Sequence, residues 1–431
     1  MSYLVVNGGK KLHGAIVNQS AKNSAVAILC ASVMIRGKTV LSDVPQIQEV
    51  NRILELLASL GVKIEKSGSG KLSLDAGGGL KLDNIDKRAS EATRSSLLLL
   101  GALSSRPVNY KIYKSGGCRL GERTVRPHLY ALESFGVSVV SKQKFYEVKN
   151  SPLRAAEIVM YESGDTPTEN AIMAAALAPG KSIIRMASAN YMVQDLCFFL
   201  RRAGAKIQGI GTTTLVIEGV KELKPVKDYS IMPDPIAAMT FISAAIVTGS
   251  HLTVKNCPMD FLDLELCKLE KMGQKLLVKN KKNGMFRLAD IEIWPSKLKA
   301  LPDKIYGRPF PGLNIDNLPL FVPILAKAKG RTLVHDWAYE NRSVYYLELQ
   351  KLGAKISLLD LHRAWVEGPT RFKANEVVCP PALRPAVNIL IGMLAAKGKS
   401  ILRNTYVIDR GYENLYDILN KAGADIKLVK S

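Results

Sequence analysis

Six times along this 431-residue chain a helix-like run ends in glycine and passes directly into alternating or β-branched residues. Leu57-Ala58-Ser59-Leu60-Gly61-Val62-Lys63-Ile64 is the first, with counterparts at Gly136, Gly204, Gly273, Gly353 and Gly423. Intervals of 68 to 80 residues are too long for a solenoid repeat and fit a small α/β unit. Each glycine is expected at the left-handed C′ position that ends a helix, with a strand starting behind it. Upstream of each cap lies a second pattern, an Ala- and Leu-rich run ending in glycine before a short strand, as in Ala176-Leu177-Ala178-Pro179-Gly180-Lys181-Ser182-Ile183-Ile184. Gly37, Gly249, Gly330 and Gly398 occupy equivalent turns, and these turns lie 23 to 25 residues before the later cap. The second copy departs. Its apolar run, Leu97 to Leu103, meets Ser104-Ser105-Arg106-Pro107, and 29 residues separate Pro107 from Gly136. An insertion in a regular framework is where function tends to be grafted.

The length exceeds what one hydrophobic core serves, and apolar residues at 47% with aromatics at only 6% suit helices packed on sheets. The expected class is α/β. Six units divide into two sets of three, with a crossover in the polar, proline-bearing stretch Lys221 to Tyr229. The expected domains are 21–229 and 1–20 plus 230–431, with a substrate held between them. The helix between Pro45 and Gly61 should bury Ile47, Val50, Ile53, Leu54 and Leu57 on one face.

Sixty Lys and Arg against 38 Asp and Glu give a net charge of +22, a field that favours anionic partners. The bases are dispersed, with Lys279 to Lys282 and Lys10-Lys11 the densest groups, and no base-rich, aromatic-interleaved strand of the nucleotide-stacking kind occurs. No nucleic-acid partner is expected. The six cysteines have no C-x-x-C pair or histidine at zinc spacing, so no metal is expected, and Cys30 and Cys197 read as core. The N-terminal residues lack a signal-peptide pattern and no window holds 18 uninterrupted apolar residues, so no membrane partner and a cytoplasmic location are expected.

Two stretches carry chemistry. Lys114-Ser115-Gly116-Gly117-Cys118-Arg119-Leu120-Gly121-Glu122-Arg123 sets a thiol among bases and glycines, where positive charge stabilises a thiolate and freed backbone N–H groups can approach an oxyanion. An incidental cysteine in a glycine-rich turn is the plainer reading. Lys22-Asn23 opens a nearly all-apolar helix; with Ser20 as its expected N-cap, the helix start offers N–H groups and a full charge to an anion.

These features, with Ala92-Thr93-Arg94-Ser95-Ser96, Thr168-Glu169-Asn170, Pro233-Asp234, Phe310-Pro311-Gly312 through Asp316, Glu340-Asn341-Arg342, Leu383-Arg384 and Ile408-Asp409-Arg410-Gly411-Tyr412, make almost the whole chain resemble the enolpyruvyl transferases, in particular those acting on UDP-N-acetylglucosamine. The resemblance implies two domains, each of three βαβαββ-type units around a pseudo-threefold axis, an inside-out α/β barrel. It implies transfer of the enolpyruvyl group of phosphoenolpyruvate to the 3′-hydroxyl of UDP-N-acetylglucosamine with release of phosphate, the first committed step of peptidoglycan synthesis. Neither a metal nor an organic cofactor is implied. Lys22, Arg123, Arg342, Arg384 and Arg410 match positions that converge on the donor's phosphate and carboxylate. Cys118 matches the acid that protonates the vinyl methylene and the target of the epoxide fosfomycin, and Asp316 matches the base at the sugar hydroxyl. Lys22 and Arg410 also fall among the matched catalytic positions. Asn23, Arg94 and Tyr339 match substrate-side positions, Arg94 reading equally well as a structural ion-pair partner.

The chain departs from the family at Arg123-Thr124-Val125-Arg126-Pro127-His128, where Arg126 replaces an acid facing the uridine. It departs also at Leu98, where tryptophan can occur, at Asn314-Ile315-Asp316 in place of Pro-Thr-Asp, and at Pro235 in place of arginine. Two readings stay open beside the main one: an enolpyruvyl transferase with another nucleotide or sugar acceptor, and a basic RNA-binding or RNA-end-processing protein, for which His128 is the histidine nearest the motifs.

Overall fold

The third repeat shows how the sequence pattern becomes structure. In a computed structural model that describes residues 2–114 and 124–429, this repeat runs strand Glu157–Val159, helix Asp165–Leu177, strand Gly180–Arg185, helix Tyr191–Arg202, and strands Lys206–Gln208 and Thr214–Gly219. Gly180–Arg185 pairs parallel with Glu157–Val159 and antiparallel with Thr214–Gly219, which also pairs antiparallel with Lys206–Gln208. The unit is βαβαββ with a four-stranded sheet, and four further repeats build the same sheet order.

The glycines do the work expected of them. The six helix-ending glycines have φ between 88° and 102°, and the five turn glycines between 64° and 115°. These are backbone positions that side chains with a Cβ avoid. Helix Gln48–Ser59 buries Val50, Ile53, Leu54 and Leu57 and closes on Leu60 and Gly61. Cys30 and Cys197 are core residues, 0% and 1% exposed.

The second copy differs. Among the described residues its sheet has three strands, Asn109–Tyr113, Val137–Ser141 and Phe145–Asn150, without the short parallel edge strand of the others. Helix Lys87–Ala92 lies beside Asn109–Tyr113, and the Ser90 hydroxyl donates to the Tyr113 carbonyl at 2.9 Å, so this edge is partly covered. The apolar run expected as one helix from Leu97 to Leu103 is instead a 3₁₀ turn, Arg94–Leu98, passing into helix Leu99–Ala102.

Contacts divide the chain into two units, one holding the described residues of 20–232 and the other those of 1–19 and 233–431. In the second unit, helices Pro235–Thr248, Leu318–Lys327 and Leu383–Ala395 pack on one another pairwise. Pro235 to Val247 are all buried, as are Leu318 to Ala326 and Arg384 to Leu394. Helices apolar all round belong inside, where each fully buried Leu or Ile side chain adds about 1.5–3 kcal/mol. In the first unit helices Lys22–Ser32, Leu99–Ala102 and Asp165–Leu177 are buried in the same way. Gly101 lets two of them meet, because a Cβ there would stand 2.6 Å from the Asn170 Cα. Sheets therefore lie outside and helices inside; among the described residues all six sheets stay open and no ring of strands closes.

Two sheets of the second unit are completed from the chain's start. Ala15–Val17 is the parallel edge strand beside Leu252–Pro258, and Tyr3–Gly8 lies between Gly398–Arg403 and Ile426–Val429.

Candidate active site

In the unit holding residues 233–431, Asp316 stands just before helix Leu318–Lys327, with its side chain 29% exposed. The turn that presents it is built by Asn314. The Asn314 side-chain oxygen accepts from the Asp316 N–H at 2.8 Å, while Glu265 Oε1 accepts from the Asn314 N–H at 3.1 Å and the Asn317 amide at 2.9 Å. The departure at Asn314 thus supplies an Asx turn of its own. Arg342 Nη1 reaches Asp316 Oδ1 at 3.4 Å, and Arg384 Nη2 stands 4.0 Å from Asp316 Oδ2.

Both guanidinium groups are held from behind. Arg342, 1% exposed, donates through Nε to Asp336 Oδ2 and through Nη2 to Asp336 Oδ1, each at 2.6 Å, and through Nη2 to the Ile315 carbonyl at 2.8 Å. The Tyr346 hydroxyl donates to the same Asp336 carboxylate, and the Tyr339 ring lies 4.4 Å from the guanidinium carbon. Arg384, in the first turn of its helix, donates to the Tyr412 hydroxyl at 2.6 Å; Tyr412 is 2.7 Å from Thr240 Oγ1, which donates to the Ile236 carbonyl at 2.9 Å. Because Arg384 only donates and Thr240 has committed its proton, the Tyr412 proton points to Thr240. Burial pushes the Tyr412 hydroxyl above its usual range, and it stays a neutral link. Arg410 follows helix Tyr406–Asp409, which packs on Leu383–Ala395. The next residue, Gly411, lies so close to Leu383 that a Cβ would come within 2.3 Å of its Cδ2.

The unit holding residues 20–232 carries the other described candidates. Helix Lys22–Ser32 starts at Lys22 with Ala21 in the N-cap position, so the expected Ser20 cap is corrected: Ser20 stands one residue too early, and Ala21 has no side-chain oxygen to offer. Asn23 Nδ2 donates to the Tyr191 hydroxyl at 3.0 Å. Arg94, at the start of its 3₁₀ turn, donates to the Thr124 carbonyl at 3.1 Å. Cys118 and Arg123 lie outside the described residues.

His128 is a structural residue, 3% exposed. Asn170 Oδ1 accepts from the Gly101 N–H at 2.8 Å, which fixes its amide nitrogen toward the Leu97 carbonyl at 3.0 Å and His128 Nδ1 at 2.8 Å. Nδ1 is therefore the acceptor. Burial, with Arg94 nearby adding to it, pushes the His128 pKa down to about 3, so the ring is neutral. Two of the departures are also structural: Leu98 is 1% exposed, and Pro235 begins a helix behind the Asp234 N-cap, whose carboxylate accepts from the Ile236 N–H at 2.7 Å. Arg126 is exposed.

The geometry brings Asp316, Tyr339, Arg342 and Arg384 together, with Arg410 on an adjoining segment, around a partly exposed carboxylate. Two anchored cations beside an acid suit a doubly anionic ligand and a proton acceptor. A sequence model described as EPSP synthase (3-phosphoshikimate 1-carboxyvinyltransferase) matches residues 6–419. The chain belongs to this family of enolpyruvyl transferases. Among curated proteins, this transferase is 32% identical to UDP-N-acetylglucosamine 1-carboxyvinyltransferase of Bacteroides fragilis, over 99% of each chain. It is 34% identical, again over 99% of each chain, to UDP-N-acetylglucosamine 1-carboxyvinyltransferase 2 of Caldanaerobacter subterraneus. Among solved structures, the enolpyruvyl transferase NikO from Streptomyces tendae superposes with a TM-score of 0.87 at 24% identity, covering 100% of this chain and 99% of that one. The α/β architecture of three-repeat units is thus the family's fold.

Sequence reasoning missed the residues that anchor the transferase's cations: Asp336 and Tyr346 behind Arg342, and Thr240 behind Tyr412. It also missed Tyr191 beside Asn23. Tyr412 was within reach, since it closes the matched Ile408 to Tyr412 stretch. Asp336 and Thr240 lie in none of the stretches that carry the resemblance.

Proposed function

We propose that this transferase moves the enolpyruvyl group of phosphoenolpyruvate to the 3′-hydroxyl of UDP-N-acetylglucosamine, releasing phosphate, as the committing step of peptidoglycan synthesis. The observation that carries the reading is end-to-end similarity to proteins named for that acceptor, at 32% and 34% identity. The anchored pair Arg342 and Arg384 beside Asp316 supports it. In this reading Asp316 accepts the proton of the sugar hydroxyl as its oxygen attacks the donor's C2, and Cys118 delivers a proton to the C3 methylene. Phosphate then leaves with the bridging oxygen as its bond to C2 breaks, and the vinyl double bond re-forms as a C3 proton returns to the Cys118 thiolate. Lys22, Arg123, Arg342, Arg384 and Arg410 hold the donor's phosphate and carboxylate. Asn23, Arg94 and Tyr339 contact the substrates. A cytoplasmic location belongs to the same proposal, in keeping with the five free thiols of the described residues.

Phosphate release with and without UDP-N-acetylglucosamine, followed by product mass, tests this for the parent and for Asp316→Ala. Acceptor-dependent phosphate and an enolpyruvyl-sugar product, both lost in the variant, are expected. Turnover only with a different nucleotide sugar would overturn the acceptor and leave the reaction type standing, with the exposed Arg126 as the first position to exchange.

A further inference from the structure

We propose that Asp336, with Tyr346 behind it, is a positioning residue for donor binding: it fixes the one edge of Arg342 that faces Asp316. The inference rests on the reading above that Arg342 holds phosphoenolpyruvate. A guanidinium has five N–H donors in a rigid fork. Asp336 takes Nε and one Nη2 proton, and the Ile315 carbonyl takes a contact from Nη2 as well. Nη1, on the opposite side, is directed at Asp316.

The anchor is itself anchored. Asp336 follows strand Gly330–His335, its N–H donates to the His362 carbonyl at 2.7 Å, and its own carbonyl accepts from His362 Nδ1 at 3.2 Å. Asp336, Arg342 and Tyr346 are each 1% exposed. An ion pair this dry adds little stability over apolar packing of the same volume. Its distinctive product is orientation, since two parallel N–H···O bonds hold the guanidinium plane and its roll at once. With Asn at 336, one oxygen becomes an N–H₂ group facing an arginine donor, and the plane must turn away.

The experiment measures phosphoenolpyruvate binding by calorimetry, and both KM values by phosphate release, in full-length Asp336→Asn, Tyr346→Phe, Arg342→Ala and the double variant Asp336→Asn/Arg342→Ala. For Asp336→Asn the donor Kd and KM should rise about tenfold or more, while the acceptor KM stays within about twofold. Tyr346→Phe, which keeps the ion pair, should give a donor shift of about two- to threefold. In the Arg342→Ala background, Asp336→Asn should add no further loss of donor binding. A parent that fails to bind phosphoenolpyruvate removes the functional reading itself. A parent that binds it, with Asp336→Asn showing unchanged donor affinity or equal losses for donor and acceptor, overturns the positioning role. If Asp336→Asn does not fold, Tyr346→Phe decides alone, and an unchanged donor KM there overturns the proposal.

Discussion

The Asp316 N–H donates to the Asn314 side-chain oxygen at 2.8 Å, and its carboxylate faces Arg342 and Arg384. Under the proposed chemistry, Asp316→Asn should lower kcat by about 10²–10⁴-fold with little change in Tm, because the amide keeps the shape and loses the proton acceptor. Equal turnover in parent and variant would remove Asp316 as the base. His128 yields a prediction free of catalysis: its ring should carry the proton on Nε2, since Nδ1 accepts from Asn170. The ¹⁵N shifts of the two ring nitrogens report this directly, and a protonated Nδ1 would contradict the network. At this scale the sequence was informative where one residue type meets one backbone demand, as with Gly204 at φ 102°. It was silent where partners meet across an irregular segment. Asp336 grips Arg342 six residues on and Tyr346 ten on, spacings that no helical or strand period singles out.

Helix Tyr191–Arg202 brings together two devices of the repeat. Its end is set by Gly204, where a Cβ would meet nothing within 4 Å, so Gly204→Ala tests backbone conformation alone. It should destabilise by about 1–2 kcal/mol, read from urea midpoints. On its buried face, Asp195 accepts from the Tyr229 hydroxyl at 2.6 Å and the Met232 N–H at 3.3 Å. Burial pushes the Asp195 carboxyl up to about 6, tempered by those hydrogen bonds. Between about pH 4 and pH 6 the folded chain therefore binds a proton that the unfolded chain has lost, so this group favours folding at low pH and the benefit disappears as pH rises through 6. Asp195→Asn mimics the protonated form, and its stability relative to the parent should improve by on the order of 2 kcal/mol from pH 4 to pH 7. Parallel midpoint curves over that range would refute this. Two helices and the strand after each were readable in the repeats from helix-ending glycines and apolar runs, while the full βαβαββ unit came from the family resemblance. The missing edge strand of the second copy was not, because strand pairing depends on a partner that the local pattern does not name.

The two units differ in how the chain fills them. Residues 20–232 include every strand of their three sheets, with Tyr229–Ser230 returning to pair with Leu41–Ser42. The other unit depends on Tyr3–Gly8, where Leu4 and Val6 are 0% exposed and both neighbouring strands form ladders with it. Deleting residues 1–8 should leave Gly398–Arg403 and Ile426–Val429 as open edges and send the protein to the insoluble fraction; a soluble variant with the parent's Tm would count against that. The apolar, β-favouring run Tyr3-Leu4-Val5-Val6 suits a strand, yet nothing local says that its partners lie some four hundred residues away. During synthesis this sets an order. The unit built from 20–232 can close while the ribosome is still at work, whereas at about 5–20 residues per second the opening strand stays without a partner for roughly 20–80 s. Tyr3–Gly8 must wait, unpaired, for strands made some four hundred residues later.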